Sequence, residues 1–290
     1  MKKRKAAGLT AVLLLISALL GACGTGTPDP GTSAGGSADP QTEETHAEAD
    51  PAYIDSLKER GYLIVGAKTD VPGLGFYDEE TGSWDGVEIE LAYQTAAKLF
   101  EITPAEAKEQ ERVHFTGVTV ADREQQLEDG AIDLMLATYT ITEERAQRFV
   151  LSESYYTDYI GLMVRYSGID QNPNAMGSNE ISSTADLDGK YVAVAKNSTT
   201  REDMIDYLNL MSSNIVHPIF MEFSGYEEMF RALKEGRVDV MSVDVSILNG
   251  YVDDTTKILG DRFAGQHYGG AVTPEHADLI SYVNAAIKEL

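Results

Sequence analysis

The chain has 290 residues, 24% of them charged and 43% hydrophobic, enough for one large or two medium domains. Its formal net charge of −24 argues against a nucleic-acid partner, which would need clustered lysines and arginines. There is one cysteine, Cys23, so no intrachain disulfide can form.

The N-terminus reads MKKRKAAGLTAVLLLISALLGAC. Lys2, Lys3, Arg4 and Lys5 form a basic start, and Leu9 to Leu20 is an apolar run too short and wrongly flanked for a stable transmembrane helix. The LGAC ending resembles the bacterial lipobox. That resemblance implies that residues 1–22 are a signal peptide and that Cys23 is lipidated. The plainer reading is an ordinary signal peptide with an incidental cysteine. Acyl chains on Cys23 would anchor the chain to a membrane without spanning it. Residues 23–52 carry Gly, Thr, Ser, Pro, Asp and Glu but no Lys or Arg, and are expected to be a disordered acidic tether.

From Tyr53 onward strand and helix patterns alternate. YLIVGAK (62–68) has strand character. GVEIELAYQTAAKLF (86–100) has helical periodicity, with Val87, Leu91, Ala92, Ala96 and Leu99 on one face. RVHFTGVTV reads as strand, ADREQQLEDG as a short helix and AIDLMLATYT as strand. EERAQRFV reads as a helix with Thr142 as its N-cap. YIGLMVR (159–165) reads as strand. The alternation then restarts with KYVAVAK, TTREDMIDYLNLM, HPIFMEF, YEEMFRALKEG and RVDVMSVD. Such order predicts an α/β fold with mainly parallel sheets.

Two segments of the first half match two of the second in the same order. QLEDGAIDLMLAT (126–138) pairs with ALKEGRVDVMSVD (232–244), and GYLIVGAKTD (61–70) with GKYVAVAKNS (189–198). The spacings differ, so a strict tandem duplication does not follow. The pattern still predicts two similarly built lobes facing across a cleft. Ligands of open parallel sheets bind beyond the carboxyl ends of strands, where Thr138 and Asp244 fall.

The motifs searched for catalysis (GxSxG, HExxH, a Walker loop, a dinucleotide fingerprint) do not occur, and the five histidines lack metal-ligand spacing. No cofactor or metal is expected. Thr138 and Thr140 are expected to share one face of their strand, because side chains alternate with period two. Arg145, in the first turn of the next helix, offers two parallel donors to a carboxylate. A surface ion pair of Arg145 with Glu144 or Glu128 is the alternative.

Three stretches carry a family resemblance: LIVGAKTDVPGLGFYDEETGSWDGVEIELA, DLMLATYTITEERAQRFVLSESYY and GRVDVMSVDVSILNGYV. They resemble the solute-binding proteins of polar amino-acid ABC importers (family 3), most nearly the aspartate/glutamate-binding subgroup. The resemblance runs from about Tyr53 almost to the C-terminus. It implies two Rossmann-like lobes of the type II periplasmic-binding-protein kind, with residues 53–164 and 267–290 in lobe one and 165–266 in lobe two. The crossings are expected near Met163–Tyr166 and Gln266–Gly270.

The resemblance also implies roles. Arg145 and Thr140 would clamp a ligand α-carboxylate, and Asp244 would receive the α-ammonium. Lys68, and Arg123 seven residues before Gly130, would hold a side-chain carboxylate. Thr138, Thr199 and Tyr226 fall at further contact positions. Lys68, Arg123 and Arg145 with Asp244 sum to +2, which suits glutamate or aspartate better than glutamine, since an unpaired cation in a dry cleft is costly. Lys196 and Asn197 depart from the usual small or neutral pair, and Phe76 and Tyr77 are candidate stacking aromatics.

The implied protein is a membrane-anchored, extracytoplasmic monomer that delivers a free acidic amino acid to a permease, without catalysis. The alternatives are a glutamine or other polar amino-acid binder, a dehydratase-like enzyme with Glu153 as general acid, and a sensory lipoprotein.

Overall fold

A computed structural model describes residues 51–166, 181–211 and 216–290. The signal peptide, Cys23 and the tether up to residue 50 lie outside these residues. The first helix, Pro51–Arg60, begins where the tether was expected to end.

Two sheets organise the chain. The first has strand order Val113–Gly117, Leu63–Ala67, Leu134–Leu136, Ala271–Val272, Val150–Leu151. The second runs Ile219–Phe223, Tyr191–Ala195, Val240–Asp244, Tyr156–Arg165, Thr256–Ile258, and Phe263–Tyr268 also pairs with Tyr156–Arg165. Each sheet has a parallel core of three strands, with the first strand in sequence at its centre, and antiparallel strands added on one side. The α/β prediction holds, and the matched segments occupy equivalent places in the two sheets.

The match extends to hydrogen bonding. Gly130 and Gly236 end their helices at φ 68° and 71°, left-handed values that favour glycine. Three residues on, Asp133 accepts from the Ile64 amide at 2.7 Å, and Asp239 accepts from the Tyr191 amide at 2.9 Å. Each aspartate ties the start of the third strand to the start of the first.

The helix Val87–Phe100 buries Leu91, Ala92, Ala96 and Leu99 as its periodicity predicts. They pack with Leu63, Val65, Leu134 and Leu136, so this face covers the first sheet. In the second half, Tyr226–Lys234 lays Met229, Ala232 and Leu233 against Ala193, Met241 and Val243.

Two expectations need correction. Tyr156–Arg165 belongs to the second sheet, antiparallel to Val240–Asp244. The chain therefore leaves the first sheet between Leu151 and Tyr156, earlier than Met163, and returns between Tyr268 and Ala271. YIGLMVR reads as strand wherever it pairs, so its local pattern does not decide its sheet. The strand expected through Thr140 stops at Leu136. Thr138 lies at φ 47°, so the period-two argument that put Thr138 and Thr140 on one face fails.

An antiparallel three-stranded ribbon, Asp70–Val71, Gly75–Asp78 and Ser83–Asp85, follows the first strand. Its Val71 and Leu74, with Val120, pack among Tyr226, Ile247 and Leu248 of the second half, so the halves meet through an apolar contact. Among the described residues no helix is long and apolar enough to cross a membrane.

Candidate functional site

The carboxyl ends of both parallel cores converge, and the predicted residues are there. Lys68 follows Leu63–Ala67, Thr138 and Thr140 follow Leu134–Leu136, and Asp244 ends Val240–Asp244. Arg123 and Tyr226 are the first residues of equivalent helices, Arg123–Glu128 and Tyr226–Lys234. Thr199 immediately precedes the helix Thr200–Met211. Lys68, Arg123, Thr138, Thr140, Arg145, Tyr226 and Asp244 are all buried, and Thr199 is half-buried.

Burial of three cations demands compensation. Lys68, 1% exposed, lies 3.1 Å from Asp70, and its Nζ sits 4.8 Å from the centre of the Tyr226 ring on the opposite half. Burial lowers its pKa, and Asp70 opposes the shift. Arg123 donates through Nη1 to the carbonyls of Ala137 at 2.5 Å and Thr138 at 3.1 Å. Arg145 donates to Thr140 O at 2.7 Å and to Asn197 O, across the cleft, at 3.3 Å. Its Nε is 3.7 Å from Glu124. Burial, and then Arg123, lower the Arg145 pKa to about 10.

The Tyr139 ring lies 4.8 Å from the Arg123 guanidinium and 4.0 Å from that of Arg145. Its hydroxyl donates to Glu124 at 2.9 Å. Thr142 caps its helix as expected, accepting from the Arg145 amide at 3.1 Å, which fixes the base of that side chain.

Asp244 accepts a hydrogen bond from the Tyr268 hydroxyl. Burial pushes its pKa up to about 7; Tyr268 opposes the rise and nearby Asp158 adds to it. Gln266 accepts from the Thr140 hydroxyl at 2.7 Å and from the Thr199 hydroxyl at 2.9 Å. Beside this cluster is a cavity of about 630 Å³ whose walls include Glu124, Arg145, Arg148, Asn197, Thr199 and Asp203.

Sequence reasoning missed Glu88, Asp70 and Gln266. Glu88 is fully buried and accepts from the Thr138 amide at 2.6 Å and the Tyr155 hydroxyl at 2.5 Å. Burial raises its pKa, against those two bonds and the fields of Lys68 and Arg123. A signal was available, because Glu88 lies three and four residues before Leu91 and Ala92 and so on the apolar face. Buried atoms without a hydrogen bond gather here: Glu88 Oε2, Arg123 Nε and Thr138 Oγ1.

The departing loop is also engaged. Asn197, at φ 62°, donates through Nδ2 to Ala121 O at 3.1 Å, bridging the halves. Tyr77 packs on Trp84 at 5.0 Å between centroids, within the ribbon. Glu153 is exposed, 4.0 Å from Lys288.

The pattern of the bacterial extracellular solute-binding proteins, family 3, matches residues 63–290. The chain belongs to this family.

Among family members, the ABC transporter glutamine-binding protein GlnH of Bacillus subtilis is 26% identical over 249 residues, 85% of this chain and 82% of that protein. Glutamate-binding protein GluB of Corynebacterium efficiens is 24% identical over 241 residues, 80% of this chain and 75% of that protein. The arginine-bound form of truncated ArgBP from T. maritima superimposes with a TM-score of 0.64 at 26% identity, covering 81% of this chain and 99% of that one. The fold is thus the type II periplasmic-binding-protein fold, while the ligands named for these three proteins differ.

Proposed function

We propose that this protein captures a free α-amino acid between its two halves and delivers it to the permease of an ABC importer. The observation that carries this reading is a pair of buried, opposite charges from opposite sides of one cleft. Arg145, from the first half, would hold the α-carboxylate, and Asp244, from the second, the α-ammonium. A ligand touching both halves shifts their equilibrium toward closure; one touching a single half does not. Thr199 lines the cavity beside Arg145, and Thr138, Thr140 and Tyr226 would supply further contacts.

Glutamate or aspartate is the reading that uses Lys68 and Arg123, which would meet the side-chain carboxylate. Glutamine is supported by a specific observation. Lys68 already has Asp70 at 3.1 Å, and the fully buried Glu88 adds a second carboxylate near both cations. Counting these acids removes the positive excess that favoured an acidic ligand. Calorimetry with glutamate, aspartate, glutamine, asparagine, cystine, arginine and histidine tests the choice. Binding of glutamine or arginine alone would reject the acidic reading, and binding of none would reject the amino-acid reading.

The two units closing on the ligand are those built on the two sheets. A lipid on Cys23 and the tether to residue 52 would hold this monomer at the extracytoplasmic face of the membrane. Metabolic labelling with a fatty acid tests the anchor, and equal label in Cys23→Ala would reject it. The dehydratase-like alternative loses its candidate acid, since Glu153 is exposed. A sensory lipoprotein would bind the same ligand, and loss of uptake on deletion separates transport from sensing.

A further inference from the structure

Gln266 is a buried amide, 2% exposed, on the strand Phe263–Tyr268 of the second sheet. Just beyond it the chain runs antiparallel to the segment around Thr140. Ile141 N donates to His267 O at 2.8 Å and Gly269 N to Tyr139 O at 2.9 Å. This pairing, at the return crossing, brings Gln266 to the first half.

The amide has a defined polarity. Its Nε2 donates to Asp203 at 2.9 Å and to Ala264 O at 3.1 Å, two acceptors that require the nitrogen on that side. Oε1 therefore faces the two hydroxyls, Thr140 at 2.7 Å and Thr199 at 2.9 Å. Thr140 comes from the first half and Thr199 from the second. One carbonyl oxygen thus accepts from both sides of the cleft.

We infer that Gln266, held within the second half by Thr199 and Asp203, is a positioning residue that latches that half to the first through Thr140 and sets the polarity of both hydroxyls. A hydroxyl has one proton. With that proton on Gln266, each threonine offers a ligand only lone pairs, which suit an ammonium; the Thr140 hydroxyl then serves the ammonium, in place of the carboxylate role the family resemblance implied. The latch rests on the cleft being the ligand site; the identity of the amino acid does not enter.

The test uses the full chain in stopped-flow binding with L-glutamate and L-glutamine. Gln266→Leu keeps the bulk and removes the amide. It should raise the dissociation rate about tenfold while the association rate stays within about twofold, because the latch exists only after closure. Thr199→Val should act in the same direction. In the Gln266→Leu background it should add little, since both changes remove one shared bond. A dissociation rate within about twofold of wild type in both single variants, or full additivity in the double variant, would overturn the latch.

If wild type binds neither amino acid, the latch is decided by the distance between spin labels on the two halves. That distance should widen in Gln266→Leu and in Thr199→Val. An unchanged distance in both overturns the inference. Thr199→Val also keeps the question open to measurement if Gln266→Leu does not fold.

Discussion

The Thr138 amide donates to the Glu88 carboxylate at 2.6 Å, joining positions 50 apart in the sequence. Thr138 is β-branched and sits at φ 47°, a conformation that costs on the order of 1–3 kcal/mol and persists only when its surroundings enforce it. Glu88 is one enforcer; Arg123, on the Thr138 carbonyl, is another.

That arrangement predicts a graded response to substitution. Glu88→Ala strands the Thr138 amide and the Tyr155 hydroxyl, and should cost about 3 kcal/mol in urea unfolding. Glu88→Gln keeps an acceptor for both and should cost clearly less. Equal losses in the two variants would show that shape, and not the acceptor, supports the turn.

Binding should depend on pH through Asp244. Its pKa is raised to about 7, so the folded protein holds a proton that the unfolded chain, titrating near the ordinary carboxyl value, has released. The sign for stability follows. The contribution is full below the unfolded pKa of about 4 and is lost as pH rises through about 7. The sign for binding is opposite, because an ammonium needs the charged carboxylate. Affinity for an α-amino acid should rise with pH below about 7, by up to tenfold per unit, and level off above. Asp244→Asn should flatten the profile. A flat wild-type profile would count against Asp244 as the ammonium partner.

Arg145→Ala and Asp244→Ala should each abolish measurable binding in calorimetry. Arg145→Lys retains a charge but loses the planar fork that reaches both Thr140 O and Asn197 O, and should weaken binding at least about tenfold. Wild-type affinity in either alanine variant would sink the site assignment.

Gly250 offers a test of closure away from the charges. A Cβ there would lie 2.8 Å from Pro72 Cδ on the opposing half. Gly250→Ala, inside the helix Val245–Tyr251, should add roughly 0.5–1 kcal/mol of helix propensity when the halves are apart. It should obstruct their approach. The expected result is faster ligand release with an equal or higher melting temperature of the ligand-free protein. Unchanged release would mean that the Pro72 contact is not made in the bound form.

The two-sheet plan was legible because it is local and repeated. The LEDGAID and KEGRVDV stretches each encode a helix end, a left-handed glycine and an aspartate that ties two strands together, and both do so in the structure. Arg145 and Asp244 were legible as polar residues at a helix start and a strand end, whereas Lys68 and Arg123 came only from the family resemblance. What was not legible depends on distant partners. The strand ends at Leu136 because Glu88 and Arg123 hold Thr138 in a turn, and neither is near it in sequence. Tyr156–Arg165 joins the second sheet through Val240–Asp244, which follows it by about eighty residues. Gln266 looked like an ordinary strand residue until the chain's return brought Thr140 beside it.

The ring of Tyr139 has one more consequence. It carries two guanidinium groups, 4.8 and 4.0 Å from its centre, and their repulsion is built into the folded chain. An anion that reaches both would relieve a repulsion that folding has already loaded. Folding, in this sense, does part of the work of binding in advance.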